Sequence, residues 1–456
     1  MTLHSRFLKL HPASLVLFSF VLVILGGTVL LKMPVSTNAN YIPWMDALFT
    51  AASAVCVTGL VVVDTGSYFT IFGQCVILIL IQIGGLGIMT ISVTLFHWLG
   101  RKISFHQRMA MQDLFSSAPR EDIFRLVKSI VLLTVFAQAL GAIFLTLHWV
   151  QEYPVGKAVY MAVFHSVSAF CNAGFALFPD SMVRYSSSFL LNITVCGLIV
   201  IGGIGFPVLY DLQSWFKFHK KKRFRFSVQT RTVLLTTMVL ILVGALFFGL
   251  VEQQGLQEGQ SFSHRLLTPI FQSITCRTAG FNTVDIASLK EATLAMMIFL
   301  MFFGASPGSC GGGVKTTTLA LLVGFTISGV RRRRRVNLFK KSIPTETITR
   351  SITLVLISIG MISLVLFMLL VGDSITGHDV NSPHGSFLSY FFETVSAFGT
   401  VGLSMGVTPD LSIWGKVWII LMMIIGRVGV LTFSYIIIGT GSASGFERSE
   451  ENIMIG

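Results

Sequence analysis

The sequence predicts an all-α membrane protein: four tandem helix–pore-loop–helix units, with eight transmembrane helices and four re-entrant pore loops around a pseudo-four-fold pore. Three observations predict this fold class: the composition, the lengths of the apolar runs and an internal repeat. Of the 456 residues, 53% are hydrophobic and 12% are charged, about half the charged fraction of ordinary soluble domains. So few charged residues give too little polar surface for a water-soluble fold, which predicts the membrane class.

Eight apolar runs reach or approach the roughly 20 residues that a helix needs to cross a bilayer. They cover residues 15–31, 69–98, 124–150, 188–216, 232–251, 292–329, 350–372 and 412–439. A shorter mixed segment lies within each successive pair, at residues 43–58, 157–173, 263–279 and 385–401. These four segments are too short to span and too apolar for free loops, which is typical of re-entrant segments.

The order of these segments predicts the domain boundaries. The four repeats cover 1–100, 123–217, 232–330 and 350–440, joined by cytoplasmic loops at 101–122, 218–231 and 331–349 and followed by a tail at 441–456. Lysine and arginine concentrate in the joining segments, so the positive-inside rule places both termini in the cytoplasm of a multi-pass cell-membrane protein. The net charge of +13 then reflects topology, and the expected partner is membrane lipid and not nucleic acid.

The four short segments align on one glycine. They read TAASAVCVTGL, HSVSAFCNAGF, SITCRTAGF and ETVSAFGTVGL, and the shared glycines are Gly59, Gly174, Gly280 and Gly402. A second landmark follows 24 to 28 residues later, as IGGLG, IGGIG and IGRVG, with a glycine-rich stretch in the third unit. Two landmarks in the same order argue against chance similarity and indicate an internal repeat.

The segments that end at the shared glycines predict a cation filter. Rings of backbone carbonyls can replace the hydration shell of potassium, and glycine permits the backbone angles that aim carbonyls at an axis. The candidate filter residues are Val57, Thr58 and Gly59; Asn172, Ala173 and Gly174; Thr278, Ala279 and Gly280; and Thr400, Val401 and Gly402. Since only the fourth unit reads TVG, we expect lower selectivity than four TVGYG strands provide. Potassium is the expected substrate, and no tightly or covalently bound cofactor is expected.

The stretch GASPGSCGGG interrupts the second span of the third unit and predicts a gate. Pro307 removes a backbone donor and glycine disfavours helix, and irregular backbone at membrane depth lines a cavity or is buried in protein. The predicted gate residues are Gly304, Ala305, Ser306, Pro307, Gly308, Ser309, Cys310, Gly311, Gly312 and Gly313, with Lys315 and Arg427. An ionised residue inside a span, such as Arg427, is a functional hypothesis by default. A kinked helix and an arginine satisfied by helix ends are the alternatives.

Other residues near the filter have two interpretations each. An aspartate follows each loop, at Asp64, Asp180, Asp285 and Asp410; these carboxylates either concentrate cations at the mouth or cap turns and helices. Cys56 and Cys171, three residues before their glycines, are expected to be small packed thiols rather than a soft-metal ring. Arg277 is expected to pin the third loop.

Four segments carry a family resemblance: SAFGTVGLSMGVTP (396–409), CRTAGFNTVD (276–285), FTAASAVCVTGLVVVDTG (49–66) and IGRVGVLTF (425–433). They resemble the Ktr/Trk/HKT superfamily of potassium transporters, above all the membrane subunit of bacterial Ktr systems. The resemblance implies a homodimer with one pore per protomer and a cytosolic regulatory ring of the RCK type, which carries the nucleotide. It also implies an intramembrane gating loop and often sodium-stimulated uptake, and Gly59 in place of serine implies potassium.

Three other classes fit the sequence less well. Secondary transporters of other solutes usually show inverted repeats, whereas these four units share one orientation. The potassium-binding subunit of an ATP-driven pump would have extra flanking spans. An enzyme is not expected, because HExxH, GxSxG and P-loop motifs are absent from the sequence.

Overall fold

The computed structural model describes residues 12–87, 123–218, 226–252, 262–333, 335–376, 386–430 and 433. Its helices are α1 Pro12–Lys32, α2 Trp44–Cys56, α3 Thr65–Tyr68, α4 Ile71–Leu86, α5 Ile123–Trp149, α6 Val155–Cys171, α7 Phe189–Ile204, α8 Phe206–Phe218, α9 Val228–Val251, α10 Phe262–Thr275, α11 Glu291–Phe302, α12 Thr316–Val330, α13 Thr345–Thr376, α14 Phe387–Gly399 and α15 Ile413–Val428. Strands β1 Asn337–Leu338 and β2 Lys341–Ser342 form a small antiparallel hairpin, and single 3₁₀ turns lie at Pro34–Ser36, Val183–Tyr185, Ile286–Ser288 and Thr408–Asp410.

One order of elements recurs four times: a first helix, a short helix and a second helix. The first helices are α1, α5, α9 and α13; the short helices are α2, α6, α10 and α14; the second helices are α4, α7, the pair α11 and α12, and α15. The short helices have 13, 17, 14 and 13 residues, fewer than a bilayer span needs. Their residues are largely buried, so the short helices form the centre of the molecule.

The four units close into a ring. In three units the second helix packs on the short helix of its own unit: α4 on α2, α7 on α6 and α15 on α14. In all four units a second helix packs on the short helix of the next unit: α4 on α6, α7 on α10, α11 on α14, and α15 back on α2. The last contact joins the ends of the chain, and there the Lys416 ammonium donates to the Asp46 carboxylate at 2.8 Å. Cyclic packing of this kind places equivalent residues of all four units around one axis.

The second landmark of the repeat explains how each second helix reaches its short helix. A β-carbon on Gly84, Gly202 or Gly426 would lie 2.0, 1.8 or 2.0 Å from a backbone carbonyl oxygen in the last turn of the short helix of the same unit. Small residues allow helix backbones to approach closely within membranes. These three glycines are therefore packing positions that hold the ends of α2, α6 and α14 in place.

We expect Gly202→Ala to destabilise the protein, because the added methyl would overlap the Phe170 carbonyl oxygen. Overpacking of this kind costs about 1–3 kcal/mol. The melting temperature in detergent, compared with that of the parent, measures the effect. Gly197→Ala is the matched control, since a β-carbon on Gly197 of the same helix has no neighbour within 4 Å. Equal melting temperatures for both variants would contradict the packing role.

Three predicted spans are interrupted at the last glycine of this landmark. Gly87, Gly205 and Gly429 have φ of 82°, 100° and 99°, outside the helical region, so α4, α7 and α15 end there. The prediction of one continuous helix over 188–216 is wrong, because α7 and α8 meet at Gly205 with a bend of 101°. Residues 88–98 and 434–439 of the other two predicted spans lie outside the described residues.

Three of the described helices are individually long and apolar enough to cross a membrane, over Val127–Trp149, Val228–Val251 and Thr345–Ile375. The bent pair α7 and α8 passes the same criterion when both helices are taken together. Other apolar helices, among them Val16–Lys32, Ile71–Leu86 and Thr316–Val330, are shorter. The count of eight transmembrane helices therefore stays a prediction.

Candidate functional site

The chain leaves each short helix in an unusual backbone conformation, two residues before the shared glycine. At this position φ is 57° for Val57, 58° for Asn172, 75° for Thr278 and 49° for Thr400. Three of these residues are β-branched, and such residues rarely adopt positive φ. Backbone strain of this kind persists only where the surrounding structure enforces it, and it clusters at functional sites.

Hydrogen bonds enforce this conformation in similar ways in all four units. After α2, α6 and α14, the residue before the glycine donates its N–H to a serine carbonyl five residues earlier, at 2.8 Å each time, which is the Schellman arrangement of a helix end. The hydroxyls of Ser53 and Ser396 also accept from the N–H groups of Gly59 and Gly402, both at 3.1 Å. In the other two units a hydroxyl instead donates to the carbonyl of the residue after the glycine.

The residues at the shared glycines meet in a closed ring of four. A β-carbon on each glycine would lie against the carbonyl oxygen of the residue before the glycine of the next unit. These contacts join Gly59 to Ala173 at 2.4 Å, Gly174 to Ala279 at 2.9 Å, Gly280 to Val401 at 2.4 Å and Gly402 to Thr58 at 2.1 Å. We call the four carbonyl groups of Thr58, Ala173, Ala279 and Val401, with their glycines, the carbonyl ring. The twelve predicted filter residues thus converge on one place.

On one side the carbonyl ring opens into a cavity of about 190 Å³, here called the mouth. All four ring glycines line it, together with Asp64 and Asp285 from the first and third units. These carboxylates also cap turns: Asp64 accepts from the Ser67 N–H at 2.8 Å and Asp285 from the Ala287 N–H at 3.1 Å. The structure therefore shows the capping role of Asp64 and Asp285, and their attraction of cations stays a prediction. Asp180 instead pairs with Arg184 at 3.2 Å.

On the opposite side lies the segment between α11 and α12, which contains every predicted gate residue except Arg427. We call residues 303–315 the intramembrane loop. It touches the filter side chains directly, since the Gly312 N–H donates to Thr400 Oγ1 at 2.9 Å. A β-carbon on Gly304 or Gly311 would lie 2.4 Å from Thr278 Cγ2 or 2.1 Å from Thr278 Oγ1, respectively.

The intramembrane loop is anchored to two second helices. Its N–H groups at Ser306 and Cys310 donate to the Gly203 and Gly202 carbonyls, both at 3.1 Å, and that of Gly313 donates to the Gly426 carbonyl at 3.3 Å. The Phe206 N–H of α8 donates to the Gly308 carbonyl of the loop. The loop is also held by the Thr316 N–H, which donates to the Ala305 carbonyl, and by the Ser309 hydroxyl, which donates to the Ser306 carbonyl. A β-carbon on Gly205 would lie 2.5 Å from the Pro307 carbonyl oxygen. The loop is thus an ordered, hydrogen-bonded segment and not a simple kink.

Two cationic side chains bind carbonyls of this loop. Arg427 donates from Nη1 to the Cys310 carbonyl and from Nη2 to the Gly84 carbonyl at the end of α4. Lys315 Nζ donates to the Gly311 carbonyl at 2.8 Å and to the Gly312 carbonyl at 3.3 Å. The guanidinium therefore joins the loop to a helix end, and its role in gating stays a prediction.

The remaining predicted residues lie beside the ring and do not face it. Arg277 is 6% exposed, and its Nη2 donates to Thr237 Oγ1 of α9 at 3.4 Å, which ties the third loop outward. Cys56 and Cys171 are fully buried. Cys171 packs against α4, since a β-carbon on Gly85 would lie 2.6 Å from Cys171 Sγ.

Sequence reasoning missed a row of polar residues on the buried faces of the short helices. Three of these residues are fully buried: His165, Gln272 and Glu393. Each forms a hydrogen bond with the segment that follows the ring glycine of its own unit. Their signal was a polar residue at matched spacing, eight or nine residues before each glycine, within an otherwise apolar segment.

Comparison with known proteins agrees with this architecture. Residues 4–440 match the family model TrkH, described as cation transport protein. The chain is 39% identical over 426 residues to Ktr system potassium uptake protein B of Vibrio alginolyticus, which covers 93% of this chain and 90% of the relative. It is 37% identical over 433 residues to the protein of the same name from Bacillus subtilis, covering 94% of both chains.

A third relative is the potassium/sodium uptake protein NtpJ of Enterococcus hirae, 35% identical over 453 residues and covering 98% of both chains. The crystal structure of the potassium transporter TrkH from Vibrio parahaemolyticus has a similar fold. Its TM-score is 0.69 at 20% sequence identity, and the match covers 92% of this chain and 85% of that one. From the family match and these relatives, we conclude that this chain is a membrane protein of the TrkH cation transport family.

Proposed function

We propose that the protein takes up potassium across the cell membrane through the carbonyl ring. The closed ring of four carbonyl groups carries this proposal, because carbonyl oxygens arranged around an axis can replace the water shell of a monovalent cation. The carboxylates at the mouth would raise the local cation concentration. Relatives that are potassium uptake proteins by name support the same substrate.

The twelve filter residues do not form four identical strands, and this bears on selectivity. Thr400, Val401 and Gly402 read TVG, whereas the first and second units share only the glycine with that motif and the third shares the threonine and the glycine. We infer that the ring prefers potassium less strictly than four TVGYG strands do. The name of the potassium/sodium uptake protein NtpJ is consistent with that inference, and sodium-stimulated uptake is part of the proposal.

The intramembrane loop is the proposed gate. It lies against Thr278 and Thr400 on the side of the ring opposite the mouth, where an ordered plug blocks the path of an ion. Opening requires the loop to leave the carbonyl-binding side chains Arg427 and Lys315. We assign its control to a cytosolic nucleotide-binding ring of the RCK type, following the family resemblance, with the nucleotide on that partner.

The membrane arrangement belongs to the same proposal. Four units with the predicted boundaries, eight spans and both termini in the cytoplasm follow from the basic joining segments. The family resemblance supports a homodimer in which each protomer has its own pore.

The test is uptake of rubidium, a potassium substitute, by a bacterial strain that lacks potassium uptake systems. The chain is expressed with and without a Ktr-type regulatory subunit, and growth at low potassium is recorded in parallel. We expect uptake that rises when the regulatory subunit is present. Well-inserted protein without rubidium uptake in either condition would refute potassium transport, and sodium uptake alone would point to a sodium-selective transporter.

A further inference from the structure

The fourth short helix contains a buried carboxylate that the proposed ion path does not use. Glu393 in α14 is 0% exposed. Its Oε1 accepts a hydrogen bond from the Thr408 hydroxyl, and among the described residues Oε2 has no hydrogen-bond partner. An unpaired buried carboxylate is costly, so an apolar residue here would be expected unless the carboxylate has a task.

The hydrogen-bond partner of Glu393 belongs to the segment that leaves the carbonyl ring. Thr408 is 1% exposed and begins the 3₁₀ turn that follows Gly402. Its hydroxyl oxygen is 3.2 Å from that of Ser404, which lines the mouth and accepts from the Gly406 N–H at 3.0 Å. A chain of polar contacts therefore joins the back of the short helix to the mouth beside the ring.

Equivalent positions in two other units make the same kind of link with different chemistry. His165 Nε2 accepts from the Leu177 N–H at 3.1 Å, and Gln272 Nε2 donates to Thr283 Oγ1 at 3.3 Å. In the first unit the residue is Thr50, whose hydroxyl donates within its own helix, to the Asp46 carbonyl at 2.8 Å. In three units the side chain at this position therefore tethers the segment that follows the ring glycine. In the fourth unit, whose filter residues read TVG, that side chain is the carboxylate of Glu393.

We propose that Glu393 is a positioning residue that sets the preference of the carbonyl ring for potassium over sodium. This inference rests on the proposed function. Selectivity in a carbonyl filter depends on the size and flexibility of the site that the carbonyls form. By holding Thr408, Glu393 keeps residues 403–408 in place, and with them the Val401 carbonyl and Gly402. When the tether is removed, this strand can move inward and coordinate the smaller sodium ion.

The test compares variants that break the tether with variants that keep it. Thr408→Val and Glu393→Leu remove the bond while preserving volume, whereas Thr408→Ser and Glu393→Gln retain a hydroxyl donor and a carbonyl acceptor. Rubidium and sodium uptake are measured in cells. Stabilisation of the purified protein by potassium and by sodium chloride is measured as a shift in melting temperature, which reports ion binding without transport.

We expect the potassium preference to fall by about fivefold in Thr408→Val and Glu393→Leu, as the loss of one hydrogen bond predicts. Glu393→Gln and Thr408→Ser should retain the preference of the parent, and the double variant should be no worse than either single one, because both remove the same bond. Thr394→Val is the control, since the buried Thr394 hydroxyl donates to the Tyr390 carbonyl in its own helix.

Two outcomes would overturn the tether: parent-like preference in Thr408→Val, or a loss in Glu393→Gln as large as that in Glu393→Leu. The second would assign the effect to the charge instead. If Glu393→Leu does not fold, Thr408→Val decides the question alone. A parent protein that neither takes up rubidium nor gains stability from potassium would refute the proposed function and the inference together. Normal parent uptake with unaltered preference in the variants would refute the inference only.

Discussion

Gly402→Ala is expected to reduce rubidium uptake at least about fivefold. Gly402 has φ of 92°, and a β-carbon there would lie 2.1 Å from the Thr58 carbonyl oxygen and 2.9 Å from Gly59 Cα. Both neighbours are backbone atoms, so no side-chain rotation relieves the overlap. An overpacking cost of about 1–3 kcal/mol corresponds to roughly a five- to 150-fold loss of intact rings. Gly402→Asp, which adds a carboxylate at the same point, should abolish uptake.

The experiment must distinguish a damaged carbonyl ring from a lower amount of protein in the membrane. Uptake is therefore measured at equal membrane abundance, with Gly197→Ala as the matched control, because that position has open space around it. Gly59→Ala should reproduce the defect, since its β-carbon would lie 2.4 Å from the Ala173 carbonyl oxygen. Normal uptake by Gly402→Ala would show that ions do not pass the carbonyl ring.

Arg427→Ala is expected to raise rubidium flux in the absence of the regulatory subunit. The guanidinium bridges the Cys310 and Gly84 carbonyls. The substitution therefore removes one anchor of the intramembrane loop and also a positive charge beside the proposed ion path. Hydrogen bonds to a charged group contribute about 1.5–3 kcal/mol. Removing both should raise the open fraction of a closed gate by at least about tenfold.

Two further variants separate anchoring from charge. Arg427→Lys keeps the charge but not the planar fork that reaches two carbonyls, so it should open the gate partly if anchoring dominates. Lys315→Met removes the second cation, which binds the Gly311 and Gly312 carbonyls, and should also raise flux. If Arg427→Ala leaves basal flux at the level of the parent, the loop is not held shut by this arginine.

The sequence predicted the elements whose signal is local. The four-fold repeat, the shared glycines and the interruption near Pro307 follow from hydropathy and composition within about 20 residues. It also placed Arg427 among the gate residues, because an ionised residue inside an apolar span is a functional hypothesis by default. It did not predict the bend at Gly205, since a glycine within an apolar run is equally typical of close helix packing.

By itself, then, the sequence determined the membrane class, the repeated unit and the residues of the candidate filter and loop. Only the tertiary structure decided how they meet: which carbonyl faces which glycine, where the loop lies and which segment Glu393 holds. These contacts join distant parts of the chain, as Arg427 and Gly84 are 343 positions apart. Hydropathy and glycine spacing report the environment of single residues, whereas the order in which four similar units close depends on packing between them.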